Sequence, residues 1–187
     1  MKKIGILGGG VWGSALAKLL SGNKVTIYAR DEKIISSINE YKINPKLKYV
    51  IFNDNVEATS DISKLKNSDY VFIALPTQNV REVINLYGKC EDNQNIIIGS
   101  KGIEITSHLL LYDVISSMTS AKNISVLSGP CFSNEVAQNL PTAVTLATKN
   151  KKIFNDINLL FNNNNFRLYY SNDFIGCQLG GAIKNIY

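Results

Sequence analysis

Histidine is almost absent from this chain. His108 is the single histidine among 187 residues, which removes histidine metal sites and a Ser-His-Asp triad as sources of its chemistry. Cysteine is scarce too. Cys90, Cys131 and Cys177 are odd in number and lack metal-ligand spacing, so free thiols in a reducing compartment are expected rather than a disulfide framework. No run reaches the roughly 18 consecutive apolar residues of a spanning helix. The apolar stretch behind Lys2 and Lys3 is too short and too broken by glycine for a signal peptide. No membrane insertion is expected, and a cytoplasmic location follows. The formal net charge is +5, but the lysines are scattered. The charge reads as solvated surface, some of it available to a phosphorylated ligand, and no nucleic-acid partner is expected. No repeat of solenoid period is present. The Asn162–Asn165 run belongs to a composition rich in Asn, Ile and Lys and carries no mechanism. With 45% apolar and 19% charged residues, the chain can bury an ordinary core as one domain or slightly more.

What is present begins at the N-terminus. Residues 3 to 13 read as a short apolar strand running into G-x-G-x-x-G, with Gly8, Gly10 and Gly13 as the glycines and a helical pattern directly behind. Gly8 allows the tight turn, Gly10 lets a pyrophosphate approach the backbone, and Gly13 lets helix and strand pack closely. The helix start offers unpaired N–H groups and positive dipole charge to phosphates. A glycine turn with no ligand does not account for all three spacings. Strand and helix patterns then alternate along the chain. Strands are expected at 3–7, 24–29, 69–75, 95–99, 123–127, 143–147 and 167–170. Helices are expected at 11–21, after Asp31, and at 78–87, 109–118, 132–139, 153–161 and 174–187. Residues 43–60 read as irregular, with a short strand near 50–52 or 56–58. Continuous apolar strands between helices predict an α/β fold with a doubly wound, mainly parallel sheet covered on both faces, Rossmann-like in its first unit.

Ligands of such a sheet lie beyond the carboxyl ends of its strands. Five unusual loops fall there: Gly8–Gly13, Arg30, Pro76-Thr77, Ser100-Lys101-Gly102 and Ser128-Gly129-Pro130. Where a strict NAD binder usually carries an acid for the ribose, this chain has Tyr28-Ala29-Arg30-Asp31. Arg30 can pair with a 2′-phosphate, which favours NADP or dual use. Asp31 can cap a helix or serve the ribose, so NAD stays open. Lys101 sits at a strand end where it has no structural duty. It is either a solvated lysine or, as its place in the crevice favours, a ligand group. Gly129-Pro130-Cys131 opens a short helix whose N–H groups could receive a phosphate or carboxylate. Cys131 as a nucleophile lacks a histidine partner. Lys184, in Gly180-Gly181-Ala182-Ile183-Lys184-Asn185, projects one turn beyond glycines that permit a close neighbour. It reads equally as a surface lysine or as an acid/base, and the latter requires burial or nearby positive charge, which Lys101 would supply. Trp12 reads as a wall of the cofactor pocket, and His108 as a capping or surface residue.

Taken together these segments resemble the bacterial NAD(P)-dependent glycerol-3-phosphate dehydrogenases. The resemblance is carried by Gly8–Ala17, Ala74-Leu75-Pro76-Thr77-Gln78, Ser100-Lys101-Gly102-Ile103-Glu104, Leu127–Ala137 with Leu140–Val144, and Gly180–Asn185, in family order over nearly the whole chain. It implies interconversion of dihydroxyacetone phosphate and sn-glycerol 3-phosphate by hydride transfer with NADP or NAD, a step toward glycerophospholipids. By the same resemblance Lys184 is the catalytic acid/base, and Lys101 touches both cofactor and substrate. Gly129 and Cys131 bind substrate, and Val11, Trp12, Arg30 and Ser133 contact the cofactor. Cys131 stands where the family usually has Ser or Thr, which weakens a side-chain hydrogen bond there. Val11 replaces a common Ser, so only its backbone can serve a phosphate.

The expected organisation is a dinucleotide-binding domain over 1–172 and, at 173–187, the start of the helical C-terminal substrate domain that the family carries. Most of that domain is absent before Tyr187. The expectation is therefore a chain that binds dinucleotide with little or no turnover. Apolar Ile183 and Ile186 would be exposed on its last helix, with a homodimer or non-native association as consequences. Two other readings stand beside it: a stand-alone dinucleotide-binding module, and another dehydrogenase of the superfamily acting on a sugar acid or keto acid.

Overall fold

The computed structural model describes residues 1–90, 94–161 and 163–184, with the backbone alone described for Lys48 and Tyr49. Asn162 of the asparagine run, and Asn185, Ile186 and Tyr187 of the last helical pattern, lie outside the described residues. Near the N-terminus the chain alternates β1 (Lys3–Leu7), α1 (Val11–Leu19), β2 (Lys24–Tyr28) and α2 (Glu32–Tyr41). A hairpin of β3 (Ile43–Asn44) and β4 (Leu47–Ile51) follows, then β5 (Val56–Thr59). The middle of the chain holds β6 (Tyr70–Ile73), α3 (Val80–Tyr87), β7 (Asn95–Ile98), α4 (Leu111–Met118) and β8 (Asn123–Ser128). It closes with α5 (Ser133–Ala137), β9 (Thr142–Ala147), α6 (Lys151–Asn158), β10 (Phe166–Ser171) and α7 (Phe174–Ile183).

Eight strands form one sheet in the order β10-β9-β8-β7-β6-β1-β2-β5. Every pairing is parallel except β8 with β9. This is the Rossmann-like, mainly parallel α/β fold the sequence predicts. The period-2 alternation of strand side chains feeds two cores. Ile4, Ile6, Phe72, Ile97 and Leu127 pack on one face with Leu16, Ile38 and Phe161. Leu7, Val71, Ile73, Ile98 and Val126 pack on the other with Val83, Ile84 and Ile115. Because both faces are covered, the central strands are apolar at almost every position, and this is why they read as continuous runs.

Helix starts follow local chemistry. Asp31 Oδ1 accepts from the Lys33 N–H at 3.0 Å, Asn150 Oδ1 from the Ile153 N–H at 3.0 Å, and Asp173 Oδ1 from the Gly176 N–H at 2.7 Å. Several expectations need correction. The short strand expected near 56–58 is β5, which pairs with β2 at the sheet edge, whereas the stretch before it is not irregular and holds the β3–β4 hairpin, which covers α1. The helix expected from Leu109 begins at Leu111, since Leu110 bridges to Ile103. The helix expected from Phe132 is only Ser133–Ala137. β9 and β10 run against the rest of the sheet, and that reversal turns α7 back along β8 toward its carboxyl end. No described helix is long and apolar enough to cross a membrane.

Candidate functional site

The parallel block β8-β7-β6-β1-β2 places five loops side by side along one sheet edge. The glycine loop after β1 is shaped by contact. Gly8 adopts φ +125°, and a Cβ there would lie 2.5 Å from the Ala74 carbonyl oxygen. A Cβ on Gly13 would overlap the Gly8 carbonyl, so α1 leaves β1 at a distance only glycine permits. Gly10 differs: a Cβ there meets nothing within 4 Å. It faces open space, caps α1 and supplies no side-chain hydrogen bond to the helix start, so first-turn N–H groups remain available to an anion.

That open space is a cavity of about 640 Å³, walled by Gly10, Val11 and Trp12 from the glycine loop, Ala74-Leu75-Pro76 after β6, Gly99-Ser100-Lys101 after β7, Cys131-Phe132-Ser133 and Lys184. No acidic residue is among these, and two lysines are. Trp12 is half-buried and its indole N–H donates to the Gly99 carbonyl at 3.0 Å. Ser100 braces its loop, with Oγ accepting from the Leu75 N–H at 3.0 Å and donating to the Leu75 carbonyl at 2.6 Å. Thr77 Oγ1 donates to the Lys101 carbonyl at 2.7 Å.

The two lysines meet at one turn. Lys101 Nζ donates to the Gly129 carbonyl at 2.9 Å and lies 3.8 Å from Cys131 Sγ. Lys184 Nζ donates to the Cys131 carbonyl at 2.7 Å and sits 4.2 Å from the centroid of the Phe132 ring. Burial pushes the Lys101 ammonium below the ordinary lysine range; the Cys131 thiol opposes this and the Lys184 charge adds to it. Glycine again sets the approach. A Cβ on Gly181 would lie 2.8 Å from Ser128 Oγ and 3.4 Å from Lys101 Cγ, so α7 rests directly on the end of β8 and holds Lys184 over the turn. A second cavity of about 600 Å³, lined in part by Ser128, Gly129, Thr145, Tyr169 and Asp173, opens on the other side of Lys184.

The sequence-selected residues fall into groups. Gly10, Val11, Trp12, Lys101, Cys131, Ser133 and Lys184 share the first cavity, Gly8 and Gly13 shape its glycine loop from behind, and Gly129 lines the second. The 129–131 turn acts differently from expectation. Its helix starts only at Ser133, and the Cys131 N–H is already bonded to the Gly129 carbonyl at 2.9 Å, so the turn presents carbonyl oxygens that seat the lysines. Arg30 stands off the cavity wall, with Nη1 3.2 Å from Glu82 Oε1. Asp31 is engaged as the α2 cap, and His108 is exposed in the left-handed region at φ 57°. Sequence reasoning misses Glu82, Phe132 and Asn44; Thr77 lies in the Pro76-Thr77 loop that it singles out. Asn44 is buried, and its Nδ2 donates to the Gly9 carbonyl at 3.0 Å and to Ser14 Oγ at 2.7 Å. A buried polar residue beside glycine-loop chemistry leaves no local signal when its partner is 35 residues away.

Comparison with known proteins gives one direction. Residues 3–154 match the family described as NAD-dependent glycerol-3-phosphate dehydrogenase N-terminus. The chain is 40% identical over 185 residues to a glycerol-3-phosphate dehydrogenase [NAD(P)+] of Zymomonas mobilis, covering 98% of this chain and 54% of that protein. It is 34% identical over 189 residues to the protein of the same name from Parvibaculum lavamentivorans, covering 99% and 57%. The crystal structure of glycerol-3-phosphate dehydrogenase from Coxiella burnetii superposes with a TM-score of 0.90 at 32% identity, over 99% of this chain and 58% of that one. The chain thus spans a little over half the length of these relatives.

Proposed function

The chain belongs to the NAD-dependent glycerol-3-phosphate dehydrogenase family, matched through that family's N-terminal part, and on that premise we propose that residues 1–172 hold NADP or NAD while 173–184 bring Lys184 to the substrate. The reaction is hydride transfer between NAD(P)H and dihydroxyacetone phosphate, giving sn-glycerol 3-phosphate. One observation carries this reading: Lys101 and Lys184 are seated on the Gly129 and Cys131 carbonyls of one turn, in the wall of the cavity that the glycine loop opens.

The residues present fit a dinucleotide. Gly10 leaves a cradle a side chain would fill, the α1 start is uncapped by any side chain, and among the described residues the wall carries lysines and no acid. The bound cofactor supplies the hydride. Gly10, Val11 and Gly13 offer backbone to its phosphates, Trp12 and Ser133 flank it, and Arg30 reaches a 2′-phosphate. Lys101 binds the anionic substrate and cofactor, with Gly129 and Cys131 beside it. Lys184 Nζ gives a proton to the carbonyl oxygen in the reductive direction and takes it back in the reverse. Lys101 stands beside it, seated on the Gly129 carbonyl of the same turn. Lys184 is only half-buried, so water reaches the reacting groups and preorganisation is incomplete. Binding with little turnover is therefore the expected behaviour of these 187 residues. A homodimer belongs to the same reading, supported by the exposed apolar strip Ile175, Leu179 and Ile183 along α7. Sedimentation velocity over a concentration series checks it.

The test mixes the chain with NADPH and dihydroxyacetone phosphate, following quenching of Trp12, the single tryptophan, and loss of NADPH absorbance. Quenching is expected. Absence of binding by both NADPH and NADH overturns the reading. In a longer chain with turnover, Lys184→Ala should abolish reduction and leave NADPH affinity within about twofold. Loss of NADPH binding on that change removes the acid/base role. Binding without reduction of any ketone, even in a longer chain, favours a stand-alone binding module.

A further inference from the structure

The Arg30–Glu82 pair crosses the crevice where the strand order reverses. Arg30 follows β2, and Glu82 stands in the first turn of α3, which follows β6. β1 and its glycine loop lie between those two strands. Arg30 Nη1 is 3.2 Å from Glu82 Oε1, and the side chains are 56% and 66% exposed. An exposed pair of this kind contributes little to folding, and Glu82 already has a sufficient local reason for its place in the favourable field of a helix start. The pair does have one chemical effect. It occupies the guanidinium that a 2′-phosphate would use.

We propose that Glu82 is a specificity-determining residue, which holds Arg30 in a contact competing with the 2′-phosphate and so sets the ratio of NADPH to NADH affinity. This rests on the reading of the crevice as a dinucleotide site. A 2′-phosphate carries about −1.5 to −2 charges and gains a charge-assisted contact with Arg30. To do so it displaces the Glu82 carboxylate from the guanidinium. A ribose hydroxyl does not draw the guanidinium away. Asp31 does not substitute for Glu82, because its carboxylate is turned to the Lys33 N–H. Glu82 therefore acts selectively against the phosphorylated cofactor, and the chain accepts both.

The experiment measures Kd for NADPH and for NADH by Trp12 quenching in the unaltered chain, Glu82→Gln, Glu82→Lys, Arg30→Ala and the Arg30→Ala/Glu82→Gln double variant. Glu82→Gln should tighten NADPH about 3- to 5-fold, the upper end of the range for one exposed ion pair, and leave NADH within about twofold. Glu82→Lys should exceed it. Arg30→Ala should weaken NADPH more than NADH, and in its background Glu82→Gln should change nothing. A merely structural Glu82 would move both cofactors together. An unchanged NADPH affinity in Glu82→Gln, an equal gain for both cofactors, or a gain that persists without Arg30 overturns the assignment. If the unaltered chain binds neither cofactor, the dinucleotide reading falls and this inference with it. If it binds both and Glu82→Gln is flat, only the Glu82 assignment falls.

Discussion

Lys101 is held between opposed influences. Burial is the largest and lowers its pKa, Cys131 raises it, and Lys184 lowers it again. Its folded value lies below that of the unfolded chain, so the folded state binds this proton less tightly. The charge costs stability below the lowered pKa, and that cost is relieved as pH rises toward the ordinary lysine value of about 10.4. An anion bound at Lys101 reverses the effect by favouring the ammonium. Binding of NADPH or glycerol 3-phosphate should therefore take up protons in that pH window. Calorimetry at a series of pH values below the ordinary lysine value of about 10.4, in two buffers of different ionisation enthalpy, should show it. Lys101→Arg, which stays charged, should remove the uptake. A buffer-independent enthalpy in the unaltered chain contradicts the coupling. None of this environment is legible at residue 101 itself. The sequence shows a lysine at a strand end, and the carbonyl, thiol and ammonium around it come from 129, 131 and 184.

At the scale of elements, two ties hold the crevice loops. Asn44 fastens the β3–β4 hairpin to the glycine loop through the Gly9 carbonyl and Ser14 Oγ, while its Oδ1 accepts from the Lys46 N–H at 2.9 Å. Its residue is 1% exposed, so Asn44→Ala leaves buried polar groups unpaired at a cost of about 1–3 kcal/mol. It should weaken NADPH and NADH alike. A stability loss with both affinities unchanged would detach the hairpin from the loop. The second tie is Glu104, buried, which accepts from Arg81 Nε at 2.8 Å and Nη2 at 2.6 Å and from Ser107 Oγ at 2.5 Å. The Arg81 hydrogen bonds first, then Ser107, hold its carboxyl below the usual range. Its contribution is present above the ordinary Glu value of about 4.3 and is lost as pH falls through the depressed pKa. Arg81→Met should raise the pH of acid unfolding, as followed by circular dichroism, and an unshifted midpoint would deny the tie. The strands and helices here were readable from apolar runs and caps such as Asp31. The β3–β4 hairpin was not, because it gains its structure from covering α1, and β5 was legible only as one of two places for a short strand, since its partner β2 lies elsewhere in the chain.

For the whole molecule the sheet is the shared wall of two cores. Phe72 points into one, with its ring 5.9 Å from that of Phe161, and its neighbour Ile73 into the other. Phe72→Ala should cost about 3–5 kcal/mol and Ile73→Ala about 2–5. Because both cores rest on one sheet, unfolding in urea should remain a single transition in each variant, reported alike by fluorescence and circular dichroism. Two resolved transitions would mean that the layers fold separately. The same unity serves the site: the reversed β9–β10 pair sends α7 back along β8, and this alone brings residue 184 to the edge that residue 10 opens.

The strand–glycine–helix entry, the mainly parallel layered fold and the candidate residues of the crevice are written in the order of amino acids. These depend on short-range causes: the steric demand at Gly8, the close packing at Gly13, and apolar strands buried on two faces. It takes the folded chain to bring Lys101 and Lys184 to one turn, to make that turn offer carbonyls instead of N–H groups, and to pair Arg30 with Glu82. Those contacts join residues 28, 53 and 52 positions apart. They depend on strand order and on the reversal at β9, which arise from how the layers pack.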